Sequence, residues 1–162
     1  MACYNCNMKQ NIWKYESVQT LRNELEGQKT ILCGGCFDLM HYGHFSFLKD
    51  AKAKGEILLV ALESDEYIQK RKNRTAIHTQ DQRAEILASL DVVDYVILLP
   101  FFTEDQQYRE MVASIHPSLV AVTQGDPHIE KKRKQAQAIG ADVVEVSPLL
   151  EGFSTSKILN YL

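Results

Sequence analysis

Two histidines and an aspartate follow a glycine pair in the segment Gly34–His44, and these residue types suit phosphate chemistry. A short apolar run precedes the segment and an amphipathic pattern follows it, so we expect a strand, a turn and a helix. Glycines lack a Cβ and let backbone N–H groups approach phosphate oxygens. His41 and His44, three residues apart, share one face of the first helical turn, and Gly43 keeps the space between them open. Together with the partly positive helix N-terminus, they predict a site where a phosphorus atom is attacked.

A second signature of the same kind opens the last predicted helix, where three hydroxyl side chains follow Gly152: Ser154, Thr155 and Ser156. One hydroxyl is enough to cap a helix, and capping alone is a common role for such residues. Three hydroxyls exceed that need, so we expect them to hold the β- and γ-phosphates of a nucleotide. The two roles are compatible, and both stay open.

Basic side chains are concentrated in the segment Lys70–Arg74, between the second predicted strand and the helix that begins near Gln80. Arg71 and Arg74 are candidates to clamp a triphosphate or bind an acceptor phosphate, although a charge run is often only a solvated surface. Arg83 could bind substrate or fix the loop through a buried ion pair. The run Lys131–Lys134 is expected to be solvated, with an acidic ligand within its reach.

The predicted fold is α/β, a Rossmann-like, doubly wound, five-stranded parallel sheet with helices on both faces. Short apolar runs predict the strands Thr30–Cys33, Ile57–Leu62, Tyr95–Leu99, Leu119–Val122 and Asp142–Val146. Helical patterns predict Val18–Leu25, Tyr42–Ala53, Gln80–Leu90, Glu104–Ile115, Ile129–Ile139 and Ser154–Tyr161. Gly55 and Gly140 follow helix ends, where a left-handed residue is expected. In such a sheet ligands bind at the carboxyl ends of the strands, where the strand order reverses.

Composition excludes some classes of function. The 162 residues carry a formal net charge of −3, which gives no electrostatic reason to bind nucleic acid. No apolar run approaches the roughly 20 residues of a membrane span, and no secretory pattern opens the chain, so we expect a cytoplasmic protein. The pairs Cys3/Cys6 and Cys33/Cys36 could hold zinc. Their separation exceeds that of a zinc ribbon and the second pair overlaps the glycine turn, so we expect no protein-bound metal.

These motifs resemble those of the HxGH nucleotidyltransferase superfamily, in its cytidylyltransferase-like branch. Gly35-Cys36-Phe37-Asp38 and His41-Tyr42-Gly43-His44 resemble its GxFD and HxGH motifs, and Gly152–Ile158 is similar to its C-terminal hydroxyl motif. Asp81-Gln82-Arg83 and Gly125-Asp126 stand where the family has related elements. Within this branch, the chain resembles the nucleotidyltransferase domain of ADP-heptose synthase and glycerol-3-phosphate cytidylyltransferase. Leu149 replaces an arginine of the latter, which favours the heptose-like subgroup.

The resemblance implies a nucleotidyltransferase domain over residues 28–162, preceded by a tail and lead-in helix over residues 1–27. It implies that ATP or CTP, with Mg²⁺, gives a nucleoside monophosphate to a phosphorylated small molecule and that pyrophosphate leaves. A sugar phosphate is favoured, and the alternatives are a polyol-phosphate cytidylyltransferase, an FMN adenylyltransferase, or a nucleotide-binding or zinc-bearing interaction module without catalysis. A homodimer is possible. The implied catalytic residues are His41, His44 and Lys72. The implied nucleotide-binding residues are Gly35, Cys36, Phe37, Asp38, Gly43, Gly125, Asp126, Ser154, Thr155 and Ser156.

Overall fold

Six parallel strands form a single sheet in the computed structural model, which describes residues 11–148 together with Thr155 and Ile158. The strands are β1 (Ile12–Lys14), β2 (Thr30–Gly35), β3 (Ile57–Leu62), β4 (Tyr95–Leu98), β5 (Leu119–Thr123) and β6 (Asp142–Ser147). Their order in the sheet is β1-β4-β3-β2-β5-β6, and each adjacent pair is parallel. The predicted α/β parallel fold is confirmed, with one strand more than the five expected.

Six α-helices connect these strands: α1 (Val18–Glu24), α2 (Tyr42–Lys52), α3 (Asp65–Lys72), α4 (Gln80–Ala88), α5 (Asp105–Ile115) and α6 (Ile129–Gln137). A short 3₁₀ turn over Tyr15–Ser17 precedes α1. The predicted helix Ser154–Tyr161 lies outside the described residues except for Thr155 and Ile158, and both of these are helical.

Buried side chains alternate along the central strands, so the sheet has a core on each face. Ile31 and Val60 belong to the cluster beneath α2 and α4. Leu32 and Leu59, their neighbours in sequence, belong to the cluster beneath α1 and α5. Helices therefore cover both faces, which explains why the strands are nearly continuous apolar runs.

Two elements differ from the sequence-based expectation. Residues 12–14, expected in the N-terminal tail, pair in parallel with Val96–Leu98 as an edge strand. Three residues are too few for a pattern to show. No apolar pattern predicts α3, because this helix buries only Ile68. Its ends are nevertheless well specified: the Ser64 side chain accepts a hydrogen bond from the Tyr67 N–H, and Asn73 closes the helix at φ 51°.

The two glycines after helix ends have different roles. Gly140 has φ +74°, as expected for a left-handed helix end. The same expectation for Gly55 is wrong, because Gly55 is not among the residues with positive φ. A Cβ there would lie 2.5 Å from the Ile31 Cδ1 atom and 2.8 Å from the Lys29 carbonyl oxygen. Close packing against β2 therefore excludes a side chain at position 55.

The sheet order places a reversal point between β2 and β5. From β2 the chain continues to β3 and β4 on one side, and then returns to β5 and β6 on the other. Loops after β2 and β5 diverge there and leave a crevice at the carboxyl ends of the strands. Among the residues described, no helix is long and apolar enough to cross a bilayer.

Candidate nucleotide site

A cleft of about 570 Å³ opens at this reversal point. Its floor includes Gly34, Gly35 and Cys36 after β2 and Glu63 after β3. Side chains of α3, α5 and α6 form its walls, among them Arg71, Lys72, Tyr108, Lys131 and Lys132. The cleft therefore adjoins the predicted glycine turn, although Asp38, His41 and His44 are not among its lining residues.

The turn after β2 has an unusual backbone. Phe37 and Leu39 have φ values of 46° and 65°, a left-handed region that residues other than glycine rarely adopt. Such conformations concentrate at functional sites, where the surrounding structure holds them in place. Packing is tight at Gly35, since a Cβ there would lie 3.0 Å from the Phe37 ring and would require the ring to shift. The absence of a side chain at Gly35 thus leaves room for the buried ring of Phe37.

The two predicted catalytic histidines lie side by side at the start of α2. Their ring centroids are 3.7 Å apart and the rings are nearly parallel, at 18°. His41 caps the helix, because its Nδ1 accepts a hydrogen bond from the His44 N–H at 3.3 Å. A neutral His41 ring that accepts at Nδ1 carries its proton on Nε2. Nε2 is then a hydrogen-bond donor at the helix N-terminus, where anions are favoured.

His44 is poised as a neutral group. Its ring lies 5.2 Å from the ring of Phe37, and its Nδ1 is buried without a hydrogen-bond partner in the described part of the chain. Burial, and to a smaller extent the nearby His41, lowers the pKa of His44 to about 4. Burial also lowers the pKa of His41. Both rings would gain a proton more readily beside a polyanion, because negative charge stabilises the imidazolium form.

Asp38 anchors a loop to the glycine turn. It is 1% exposed, and its carboxylate accepts hydrogen bonds from the N–H groups of Ile77 and His78 at 3.1 Å and from the guanidinium of Arg74. Burial alone would raise the pKa of Asp38, but the hydrogen bonds from Arg74 and from the two N–H groups keep that pKa below its usual value. The predicted contact between Asp38 and nucleotide stays a prediction, since this carboxylate already has three protein partners.

Arg83 takes the second of the two roles left open by the sequence. It is fully buried and donates to the carbonyls of Cys36 and His78 and to the Asp65 carboxylate, the last at 2.7 Å. These partners belong to the turn after β2, the loop before α4 and the start of α3. The guanidinium therefore holds three segments together and leaves no exposed surface for a substrate.

The two predicted phosphate signatures converge. The Thr155 hydroxyl donates a hydrogen bond of 2.9 Å to the Asp38 carbonyl, three residues before His41. This contact joins positions that are 117 residues apart in sequence. Ser154 and Ser156 lie outside the described residues. The contact places Thr155 beside the turn that leads into α2, as a shared phosphate site requires.

The predicted basic candidates divide into two groups. Arg71 and Lys72 line the cleft; Arg71 donates to the Thr103 carbonyl at 3.0 Å, whereas Lys72 is exposed and has no hydrogen-bond or ion-pair partner within residues 11–148. Arg74 instead pairs with Asp38. Lys131 and Lys132 also line the cleft, where they pair with Asp105 and Asp126 at 2.7 Å, and the Lys131 side chain is 58% exposed, as expected for a solvated run.

Gly125 and Asp126 lie just beyond β5, across the reversal point from the glycine turn. Gly125 has φ +74°, which explains why glycine stands there. The Asp126 carboxylate accepts from the His128 N–H and from the Lys132 ammonium, both at 2.7 Å. Asp126 thus stabilises the entry to α6, and its predicted nucleotide contact stays a prediction.

Sequence reasoning missed Glu63. This residue is 8% exposed and accepts a hydrogen bond from the Tyr108 hydroxyl at 3.0 Å through Oε1, while Oε2 is buried without a partner among the described atoms. Burial raises the pKa of Glu63 to about 7, against the opposing effects of the Tyr108 hydrogen bond and of nearby cations. The available signal was a charged residue directly after a buried strand at the carboxyl edge of the sheet.

The cysteines in the described region are free thiols. Burial raises the pKa of Cys33 to about 12 and that of Cys36 to about 11, so both are neutral near pH 7. Cys3 and Cys6 lie outside the described residues. Within the described ranges, no cluster of three or more His, Cys, Asp or Glu side chains could hold a metal ion.

A parallel sheet carries a glycine turn, a histidine pair and the Thr155 hydroxyl at or beside its reversal point. The chain belongs to the cytidylyltransferase-like family, which matches residues 32–160.

Its relatives include two proteins named "Bifunctional protein HldE". The one from Helicobacter pylori is 37% identical over 90% of this chain, and the one from Aliarcobacter butzleri is 35% identical over 98%. These matches cover 30% and 32% of the relatives, so the chain spans about a third of their length.

Two solved structures share the fold. A lipopolysaccharide core biosynthesis protein from Thermoplasma volcanium superposes with a TM-score of 0.62 at 22% identity, covering 76% of this chain and 98% of that one. A pantoate-beta-alanine ligase from Francisella tularensis gives 0.69 at 16% identity, covering 93% and 72%. At these identities the likeness concerns the fold alone.

Proposed function

We propose that the protein transfers a nucleoside monophosphate from ATP or CTP to a phosphorylated small molecule, with a sugar phosphate favoured, and releases pyrophosphate. The observation that supports this proposal is the hydrogen bond from the Thr155 hydroxyl to the carbonyl of Asp38, three residues before His41. Similarity to two HldE proteins supports a sugar phosphate as the acceptor.

The reaction is an in-line displacement. An acceptor phosphate oxygen forms a bond to the α-phosphorus, and the bond from that phosphorus to the oxygen bridging to the β-phosphorus breaks. Nε2–H of His41 and the ring of His44 donate hydrogen bonds to α-phosphate oxygens as negative charge increases there. No side chain forms a covalent bond, so the protein contributes position and charge stabilisation. Lys72, exposed on the cleft wall, contacts a phosphate of the nucleotide or of the acceptor.

Mg²⁺ is part of the proposal only as a companion of the triphosphate. The described residues provide no group of three metal-binding side chains, and the Asp38 carboxylate is already bound to Arg74 and two N–H groups. This donor set does not form a dedicated magnesium site. Mg²⁺ commonly binds phosphate oxygens and water with few protein ligands, and no step of the mechanism depends on its position here.

The experiment is a pyrophosphate-release screen that crosses the four ribonucleotides with heptose 1-phosphate, glycerol 3-phosphate, phosphocholine and FMN. We expect pyrophosphate release with ATP or CTP and a sugar phosphate. The amount should match that of a product in which the nucleoside monophosphate is joined to the acceptor. Release with CTP and glycerol 3-phosphate alone would support the polyol alternative, and release with ATP and FMN the flavin alternative. Tight nucleotide binding without pyrophosphate in any combination would contradict transfer and support a nucleotide sensor.

A further inference from the structure

Glu63 lies on the cleft floor, and the proposed transfer chemistry does not use its carboxylate. Oε1 accepts from the Tyr108 hydroxyl, whereas Oε2 is buried without a partner. A buried carboxylate oxygen without a hydrogen bond is costly, so natural proteins rarely retain one. An arriving hydrogen-bond donor would remove that cost.

The position of Glu63 separates it from the histidines. His41 and His44 begin α2, which packs on the face of the sheet that includes Phe37 and Phe47. Glu63 contacts Tyr108 of α5, a helix that covers the opposite face. The cleft that Glu63 lines is therefore on the other side of the strand ends from the histidine pair, where a second substrate can approach the nucleotide.

Charges around Glu63 define what can bind beside it. A phosphate would be repelled by an ionised carboxylate but attracted by Lys72 and Lys132, which also line the cleft. The same two lysines and Arg83 favour the ionised form of Glu63, while burial opposes it. A ligand that suits both features has a phosphate group at one end and a hydrogen-bond donor at the other.

We propose that Oε2 of Glu63 accepts a hydrogen bond from a hydroxyl group of the acceptor and thereby selects polyhydroxylated phosphates over phosphate esters without hydroxyls. The inference rests on the proposed function, because it concerns the acceptor of that reaction. Lys72 and Arg71 lie on the same cleft wall and attract the acceptor phosphate. Tyr108 holds the carboxyl group in place through Oε1.

The test measures binding by calorimetry, without turnover. The probes are heptose 1-phosphate and glycerol 3-phosphate, with methyl phosphate as the ester that lacks hydroxyl groups. In the wild type we expect one of the hydroxylated probes to bind at least about 10-fold more tightly than methyl phosphate. Loss of a hydrogen bond to a charged group lowers affinity about 10- to 100-fold, so Glu63→Met should reduce this preference by that factor.

Glu63→Gln is the second variant, in case the methionine variant does not fold. Its carbonyl oxygen still accepts from Tyr108, but an amide NH₂ replaces Oε2, so we expect the preference to fall several-fold. Glu110→Gln on the exposed side of α5 makes the same charge change outside the cleft and should leave the preference unchanged. ATP and CTP affinities should not change in any of the three variants.

Three results would overturn the inference: an unchanged preference in both Glu63 variants, an equal loss of nucleotide affinity, or a wild type that does not distinguish the probes. Failure of the proposed function is seen separately in the pyrophosphate assay. Pyrophosphate release with an unchanged preference refutes the role of Glu63 and retains the transfer reaction. A reduced preference without pyrophosphate release retains the recognition and refutes the reaction.

Discussion

Buried polar groups beneath the glycine turn differ from those at the start of α2 and on the cleft floor in whether they have hydrogen-bond partners. Beneath the glycine turn, Asp38 and Arg83 are buried and fully engaged with backbone and side-chain partners. At the start of α2 and on the cleft floor, His44 Nδ1 and Glu63 Oε2 are buried without partners in the described structure. The difference separates groups that build the site from groups that await a ligand, because a fully satisfied network has no capacity left for a substrate.

The largest effect is expected from Arg83→Met, among the fully hydrogen-bonded groups beneath the glycine turn. The side chain is fully buried, and its loss leaves the carbonyls of Cys36 and His78 without donors. We predict a fall of about 3–5 kcal/mol in the free energy of unfolding, measured by urea denaturation. Arg109→Met, on an exposed face of α5, is the matched control and should change stability little. A stable Arg83→Met protein with weakened nucleotide binding would instead make Arg83 a ligand-binding residue.

Among the buried groups without partners, His44 is expected to act in catalysis, so His44→Ala should lower kcat with little change in stability. Removing one charge-stabilising donor typically costs about 10²–10³-fold in rate. The assay is pyrophosphate release under saturating substrate, with circular dichroism to verify folding. His116→Asn is the control, because His116 lies at the opposite edge of the sheet with φ 52°, which asparagine tolerates. Near-normal turnover in a folded His44→Ala variant would remove this histidine from the mechanism.

The raised pKa of Glu63 predicts that the difference in unfolding free energy between wild type and Glu63→Gln depends on pH. Since burial raises the pKa from 4.5 to about 7, the folded protein binds more protons than the unfolded chain between these values. Wild-type stability therefore loses the contribution of Glu63 as pH rises through this window. The stability of Glu63→Gln relative to wild type should increase by up to about 3 kcal/mol from pH 4.5 to pH 7 and then level off. A difference that is constant with pH would show that Glu63 does not titrate there.

The smallest effect is expected from the contact that links the two phosphate motifs. Thr155→Val removes the hydroxyl that donates to the Asp38 carbonyl, a hydrogen bond with a net contribution of about 1 kcal/mol. We predict a several-fold higher KM for the nucleotide. Thr155→Ser keeps the hydroxyl and should resemble the wild type. If both variants behave alike, the hydroxyl has no part in nucleotide binding.

Sequence patterns specified the parts of the site that depend on local chain geometry. Glycines, a histidine pair at helical spacing and hydroxyls before a helix have recognisable types and order, so the turn at Gly34–His44 could be located. Tertiary partners could not be read in this way. The sequence allows two roles for Arg83, because only the fold shows that this side chain is buried. Glu63 is not predicted, because its burial beside Tyr108 depends on contacts between distant parts of the chain.

The most direct test of the account follows the α-phosphorus itself. ATP or CTP labelled with ³²P at the α-position is incubated with the wild-type protein and heptose 1-phosphate, and the products are separated by chromatography. We predict that the label enters a new ester containing the acceptor, that unlabelled pyrophosphate forms in equal amount, and that His44→Ala slows both about 10²–10³-fold. Label that stays in the bound nucleotide for every acceptor in the screen would contradict the account.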